Sequence, residues 1–181
     1  VYSIIGDAPL GSTSIIGFGG AAGGAKTNLD ANLAIDLALR VPGSRTLVGR
    51  QNFTDLKTTT LTEFDASLPP GILLRKFDTP PVYRDLRESD DKPWSRVYFR
   101  ALDDWQSIMS DEFGWIIIDE AQQVSLRAVL GLVTRLRHRS YRDENGAERT
   151  AEEKWGLVAT FNPFPSWCVD WFMRGELDPT I

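Results

Sequence analysis

The sequence predicts an α/β domain with a mostly parallel central sheet, and three observations carry that prediction. Short β-like runs alternate with stretches whose apolar residues recur at helical spacing. One of those runs, Trp115–Ile118, is continuously apolar, as a strand buried on both faces requires. The length, 181 residues, suits one compact domain with a sizeable core, so residues 1–181 read as a single unit.

Taken in chain order, Thr13–Phe18 (TSIIGF) reads as a first strand that stops in glycines, and Asn28–Arg40 then carries Leu29, Leu33 and Leu37 at helical spacing. Arg45–Val48 reads as a second strand and Asp55–Leu68 as a second, more polar helix. Prolines and Gly71 punctuate Pro69–Pro81 as an irregular or hairpin-like segment in which ILLRKF has strand character. Glu88–Pro93 is a charged surface turn, and Arg96–Phe99 and Trp115–Ile118 are two further strands. Leu126–Arg137 reads as a helix, Asp143–Glu153 as a polar loop and Leu157–Phe161 as the last strand.

Composition narrows the function classes. With 42% hydrophobic and 25% charged residues the chain is ordinarily globular, which excludes disorder and collagen-like repeats. The net charge of −5 means that any contact with nucleic acid needs a local basic patch. One cysteine, Cys168, and one histidine, His138, exclude an internal disulfide and a Cys/His zinc site, and a reducing compartment is expected. Cys168 reads as packing and His138 as surface. No run of about 18 apolar residues exists, so no transmembrane helix is predicted.

Three motifs carry chemistry. The first is the glycine-rich stretch GGAAGGAKT at Gly19–Thr27, between the first strand and the first helix, which approximates G-x-x-x-x-G-K-[ST]. Its nucleotide-binding candidates are Gly20, Ala21, Ala22, Gly23, Gly24, Ala25, Lys26 and Thr27. Glycines let successive backbone N–H groups wrap phosphates at a helix N-terminus, Lys26 would reach the β- and γ-phosphates, and Thr27 would ligate Mg²⁺. Ala25 departs from the pattern, which has glycine there, and alanine suits a helical backbone at that position. A plain flexible strand–helix turn is the alternative.

The second motif is WIIIDEA, Trp115–Ala121. An aspartate at the end of a buried strand beside a phosphate loop can support Mg²⁺, and the neighbouring glutamate can deprotonate an attacking water. Asp119 and Glu120 are the candidates; the alternative is Asp119 as a helix N-cap. The strand Arg96–Phe99 intervenes between the two motifs in sequence, as in P-loop ATPases with a catalytic glutamate. The third motif is LVATFNP, in which Thr160 and Asn162 are suited to sensing a γ-phosphate, or to ordinary turn chemistry before Pro163. Arg50 follows the second strand and can face a nucleotide in cis or reach a neighbour's. Arg135, Arg137 and Arg139 lie in RLRHRSYR, as trans arginines, DNA phosphate contacts or a solvated basic face. Trp155, Trp167 and Trp171 are expected to cover the sheet edge or a surface for a neighbour.

Together GGAAGGAKT, LVGRQNFTDLKTTTLTEF, RVYFRALDD, FGWIIIDEAQQV, LVTRLRHR and LVATFNP resemble the ATPase domain of the large terminase subunit of tailed bacteriophages. The specific elements are the R-x-x-x-x-D-L segment, Y-F-R-x-L-D-D and TFNP. The resemblance implies a three-layer P-loop NTPase fold of the ASCE, RecA-like type, with ATP and Mg²⁺ as ligands. It implies ATP hydrolysis that drives double-stranded viral DNA into a procapsid, by a homo-oligomeric ring, usually a pentamer, docked on the portal protein and supplied by the small terminase subunit. That work is done in the cytoplasm of the infected bacterial host, away from any membrane. Carried over, Lys26 and Thr27 bind phosphate and Mg²⁺, Asp119 supports Mg²⁺, Glu120 is the catalytic carboxylate, Thr160 and Asn162 couple hydrolysis to movement, and Arg50 is the first candidate for the transition-state arginine. The family's C-terminal nuclease is expected to be absent, since little chain follows TFNP, and with it any DNA cleavage. Two other readings remain: the first RecA-like domain of a DNA helicase, which DEAQ resembles, and a nucleotide-gated scaffold with little turnover.

Overall fold

A computed structural model describes residues 14–20, 25–137, 140–142, 148–150 and 155–176. In chain order its elements are β1 (Ser14–Gly19), α1 (Lys26–Arg40), β2 (Arg45–Arg50), α2 (Phe53–Asp55), a π-helical turn (Leu56–Thr60), α3 (Leu61–Ser67), β3 (Leu73–Phe77), β4 (Val82–Leu86) and β5 (Ser95–Ala101). There follow a 3₁₀ turn (Trp105–Ile108), β6 (Trp115–Ile118), a second 3₁₀ turn (Ala121–Gln123), α4 (Leu126–Val133), β7 (Ser140–Arg142), β8 (Glu148–Thr150), β9 (Gly156–Phe161) and a terminal π-helical turn (Val169–Arg174).

Seven strands form one sheet in the order β1-β9-β6-β2-β5-β4-β3. The first five are parallel, and the β3–β4 hairpin adds two antiparallel strands at one edge. The expected strand between the two motifs is therefore β5 in sequence, but in space β9 lies between β1 and β6. Helices α1 and α3 cover one face around Val48, Phe99, Ile117 and Val158, whereas α4 and the terminal turn cover the other around Leu47, Ile116, Leu157 and Phe172. That is the three-layer arrangement anticipated.

Local chemistry explains the element starts. Asn52 accepts from the Asp55 N–H at 2.8 Å and Ser125 from the Ala128 N–H at 3.2 Å, so each caps the helix that follows it. Several expectations need correction. The strand β4 went unread because Val82–Leu86 carries Arg84 and Asp85, charged residues that the fold buries as pairs. α4 ends at Val133, since Leu136 turns back into a parallel bridge with Phe113, and the helix does not reach Arg137. The stretch expected as a polar loop contains β8, paired with β7. Trp167 and Trp171 pack on the core beside Phe172, whose ring lies over Gly17, where a Cβ would sit 2.2 Å from it. Trp155 also packs against that core. These tryptophans thus cover a sheet face. Cys168 is buried, and burial pushes its thiol up to about 12, in keeping with a packing role.

The β3 edge is the sheet's exposed flank. Every residue of β3 is exposed, with Leu73, Leu74 and Phe77 among the largest uncovered apolar side chains. A register shift between Leu73 and Arg75 marks a bulge there. Behind the hairpin, Arg84 is fully buried and donates to both carboxylate oxygens of Asp65 (2.7 and 2.8 Å) and to Asp78 (2.8 Å), pinning β4 to α3. Partial burial alone would raise the Asp65 carboxyl, but the Arg84 hydrogen bonds, with help from Lys76, outweigh it and hold Asp65 below the ordinary carboxylate range. Asp65→Asn should destabilise the chain by about 2–3 kcal/mol at neutral pH, because it leaves a buried guanidinium under-partnered. Since the folded-state value is the lower one, that contribution is complete above the unfolded carboxylate value of about 4 and fades as pH falls below it. Urea denaturation at neutral and at acid pH checks both; a penalty independent of pH would contradict the assignment.

Candidate functional site

The parallel strands bring their C-terminal ends to one edge of the sheet, where crevices form in open α/β folds. Pairing of Gly19 with Phe161, Ile118 with Ala159 and Gly49 with Ile118 aligns the ends of β1, β9, β6 and β2. α1 starts at the same edge, so Lys26, Thr27, Arg50, Asp119, Glu120, Thr160 and Asn162 converge although they span most of the chain. Gly20 is described at the end of β1, and residues 21–24, the middle of the glycine-rich stretch, lie outside the described residues, as do His138 and Arg139.

Lys26 is buried, and its Nζ donates to the Gly20 carbonyl at 3.0 Å, reaching across the turn that the motif defines. Ala25 takes φ 55° and ψ 23°, a left-handed backbone, as the residue before α1. This corrects the expectation that alanine sits there in helical geometry: the position wants glycine's conformation and alanine adopts it at a cost of roughly 1–2 kcal/mol.

Asp119 is fully buried at the end of β6. Its Oδ2 accepts from Thr60 Oγ1 at 2.7 Å and Thr27 Oγ1 at 3.3 Å, and lies 3.5 Å from Arg50 NH1. Arg50 also donates to Thr59. Arg50 is thus turned inward onto its own chain's site, only 13% exposed. The π-helical turn that carries Thr59 and Thr60 inserts an extra residue per turn, a distortion common at functional sites. The N-cap reading of Asp119 fails, since its side chain caps no helix and α4 is capped by Ser125. Asp119 Oδ1 is buried without a hydrogen-bond partner. A hard cation held by one carboxylate, a hydroxyl and ligand phosphates suits that donor set, and among the described residues no richer His, Cys, Asp and Glu cluster exists.

Glu120 occupies a left-handed conformation, φ 55° and ψ 45°. Asn162 Nδ2 donates to its two carboxylate oxygens at 3.2 and 3.0 Å, and Gln122 donates to it as well. Gln122 in turn accepts from the Asn162 N–H at 3.1 Å, closing a three-residue clamp. Thr160 makes a different contact: its hydroxyl donates to Asp30 Oδ2 at 2.6 Å. Burial drives the Asp30 carboxyl well above the ordinary carboxylate range; the Thr160 bond opposes this, the adjoining Asp119 adds to it, and Lys26 offsets it only in part.

The remaining arginines lie elsewhere. Arg135 donates to the Met109 carbonyl at 2.9 Å and Arg137 faces Glu112 at 3.9 Å, beside the start of β6. At about 3.3 Å per residue, the six positions from Phe113 to Asp119 separate them from the site by roughly 20 Å. Neither serves a nucleotide at its own chain's site. Asp30, Thr59 and Thr60 escaped the sequence reading, and Gln122 entered it only as part of DEAQ. Of the first three only Asp30 left a signal, an acid one turn after Lys26 on an otherwise apolar helix face.

No protein-family model and no curated protein match the sequence. Solved structures do. The large terminase of a thermophilic bacteriophage superposes with a TM-score of 0.65 at 14% identity, over 86% of this chain and 36% of that one. The Thermus phage P74-26 large terminase ATPase domain gives 0.53 at 12%, over 92% and 68%. The N-terminal domain of the DNA packaging ATPase from bacteriophage phi29 gives 0.52 at 13%, over 92% and 82%. The chain therefore has the fold of phage large-terminase ATPase domains. It spans about a third of the length of the thermophilic phage's large terminase.

Ala25→Gly should raise stability by roughly 0.5–1 kcal/mol, the relief of a left-handed alanine less the extra unfolded-state freedom of glycine. Chemical denaturation of the two chains reads it directly, and a less stable glycine variant would count against the backbone assignment.

Proposed function

We propose that this chain is the ATPase domain of a DNA-packaging motor of the large-terminase kind, hydrolysing ATP to drive double-stranded DNA into a viral procapsid. The observation that carries the reading is the convergence of Lys26 and Thr27 at the start of α1, Asp119 and Glu120 at the end of β6, and Asn162 at the end of β9. Support comes from the shared fold, and from structures of the thermophilic phage's large terminase in complex with ATP-gamma-S and with ADP. The interposed β9 suits a P-loop NTPase of the catalytic-glutamate, RecA-like branch.

In this mechanism residues 20–27 cradle the phosphates with main-chain N–H groups, and Lys26 exchanges the Gly20 carbonyl for phosphate oxygen. Thr27 and Asp119 hold Mg²⁺, which when bound neutralises charge on the phosphoryl group. Glu120 accepts the proton of the attacking water once Asn162 and Gln122 release it. Arg50, already turned onto the site, supplies positive charge in cis. Thr160 and Asn162 report the state of the γ-phosphate. The portal protein, the small terminase subunit and a homo-oligomeric ring, a pentamer, complete the motor in the cytoplasm of the infected bacterial host. Arg135 and Arg137, away from the chain's own site, are left for DNA or a neighbouring subunit, and Arg139 keeps the same assignment from the sequence.

Steady-state ATP hydrolysis measured against protein concentration tests the proposal. Glu120→Gln should lower the rate by roughly 10²–10⁴-fold, the usual worth of a general base. With Arg50 acting in cis, specific activity should not depend on concentration; a steep rise would move the role to an arginine of a neighbour. An unchanged rate in Glu120→Gln would overturn the catalytic assignment. Gln122, as part of DEAQ, also suits the first RecA-like domain of a DNA helicase, and strand separation by the whole protein would select that reading.

A further inference from the structure

Asp30 belongs to none of the recognised motifs, yet it is fully buried at the centre of the site. It stands four positions after Lys26 on α1, on the same helix face one turn along. The other buried residues of that helix beyond Lys26 are Ala31, Ala34, Ile35, Leu37 and Ala38, all apolar. A helix that only had to pack on the sheet would be served as well or better by an apolar side chain at 30, because burying an ionisable group costs several kcal/mol of desolvation. The carboxyl adjoins Asp119 and Lys26, and it also receives a bond from the opposite element: Thr160, itself fully buried on β9, donates to Asp30 Oδ2 at 2.6 Å. Two positions beyond Thr160, Asn162 holds both oxygens of Glu120. A continuous line of bonded groups therefore runs from Lys26 and Thr27, through one turn of helix, to the Glu120 clamp.

We infer that Asp30 is a positioning residue, a strut between the phosphate-loop helix and the strand end that carries Asn162. Movement of α1 when phosphates engage Lys26 and Thr27 is passed through the Asp30–Thr160 bond to Asn162, which then frees or recaptures Glu120. The inference rests on the ATPase reading above. Thr160 serves the coupling role only while Asp30 is there to receive its hydroxyl.

The test compares the full chain with Asp30→Ala, Asp30→Asn, Thr160→Val, Thr160→Ser and the Asp30→Ala/Thr160→Val pair, reading kcat for ATP and the dissociation constant of a fluorescent ADP analogue. Asp30→Ala and Thr160→Val should each lower kcat roughly tenfold, within the range expected of coupling residues, while ADP-analogue affinity stays within about threefold. The double variant should lose no more than either single one, since both cut the same bond. Asp30→Asn keeps an oxygen to accept from Thr160, and Thr160→Ser keeps the hydroxyl, so each should recover most of the lost kcat. The inference is overturned if Thr160→Val retains wild-type kcat, if the two losses multiply in the pair, or if the conservative variants fail to recover. Thr160→Val preserves volume and decides the matter alone should Asp30→Ala fail to fold. A wild-type chain that neither binds the ADP analogue nor hydrolyses ATP overturns the ATPase reading and the strut with it. A wild-type chain that does both, beside an unaffected Asp30→Ala, overturns the strut alone.

Discussion

A carboxylate taken wholly out of water at the end of a strand is stable only where several donors converge on it, and Asp119 imposes that demand on the elements around it. α1 answers with Thr27, the helix after β2 with Thr60, and β2 itself with Arg50. Each donor arrives from a different element, so Asp119 ties α1 and the chain after β2 to the end of β6, alongside the apolar packing of α1 on the sheet. The π-helical turn after Phe53 presents Thr59 to Arg50 and Thr60 to Asp119.

Glu120 is held by a different logic. Its backbone is in a region that L-residues with side chains rarely occupy, and such strain persists where surrounding contacts over-determine it. Asn162 and Gln122 provide them, with the carboxylate drawn towards β9. The arrangement is a carboxylate aimed by its neighbours at the strand end. Reorientation needs little more than an exchange of hydrogen bonds, which is how a small change at a ligand becomes a two-state response.

Much of this was legible in the sequence, and the reasons for the gaps are physical. β6 is apolar throughout and β9 nearly so, Thr160 apart, because both faces are covered, and GGAAGGAKT and WIIIDEA are recognisable by spacing. β4 was not legible because Arg84 and Asp85 look like surface residues until partners from distant segments bury them. Thr59, Thr60 and Gln122 act through tertiary contacts that have no periodicity of their own. The end of α4 was lost because Leu126–Arg137 keeps its helical pattern past Val133, while the β-bridge at Leu136 takes over the backbone. The conformation of Ala25 could not be read from residue type, since alanine in itself favours the helical backbone that the turn denies it.

The exposed flank at β3 bears on how the protein behaves in company. A sheet edge with free backbone groups and uncovered Leu73, Leu74 and Phe77 is a template on which any extended segment can be laid down. The chain blunts this template: the bulge breaks the even spacing of the edge, and Arg75 and Lys76 set positive charge upon it. Crowding at high concentration therefore meets a frontier that is greasy yet irregular, with two cations and one misregistered residue set against extended partners.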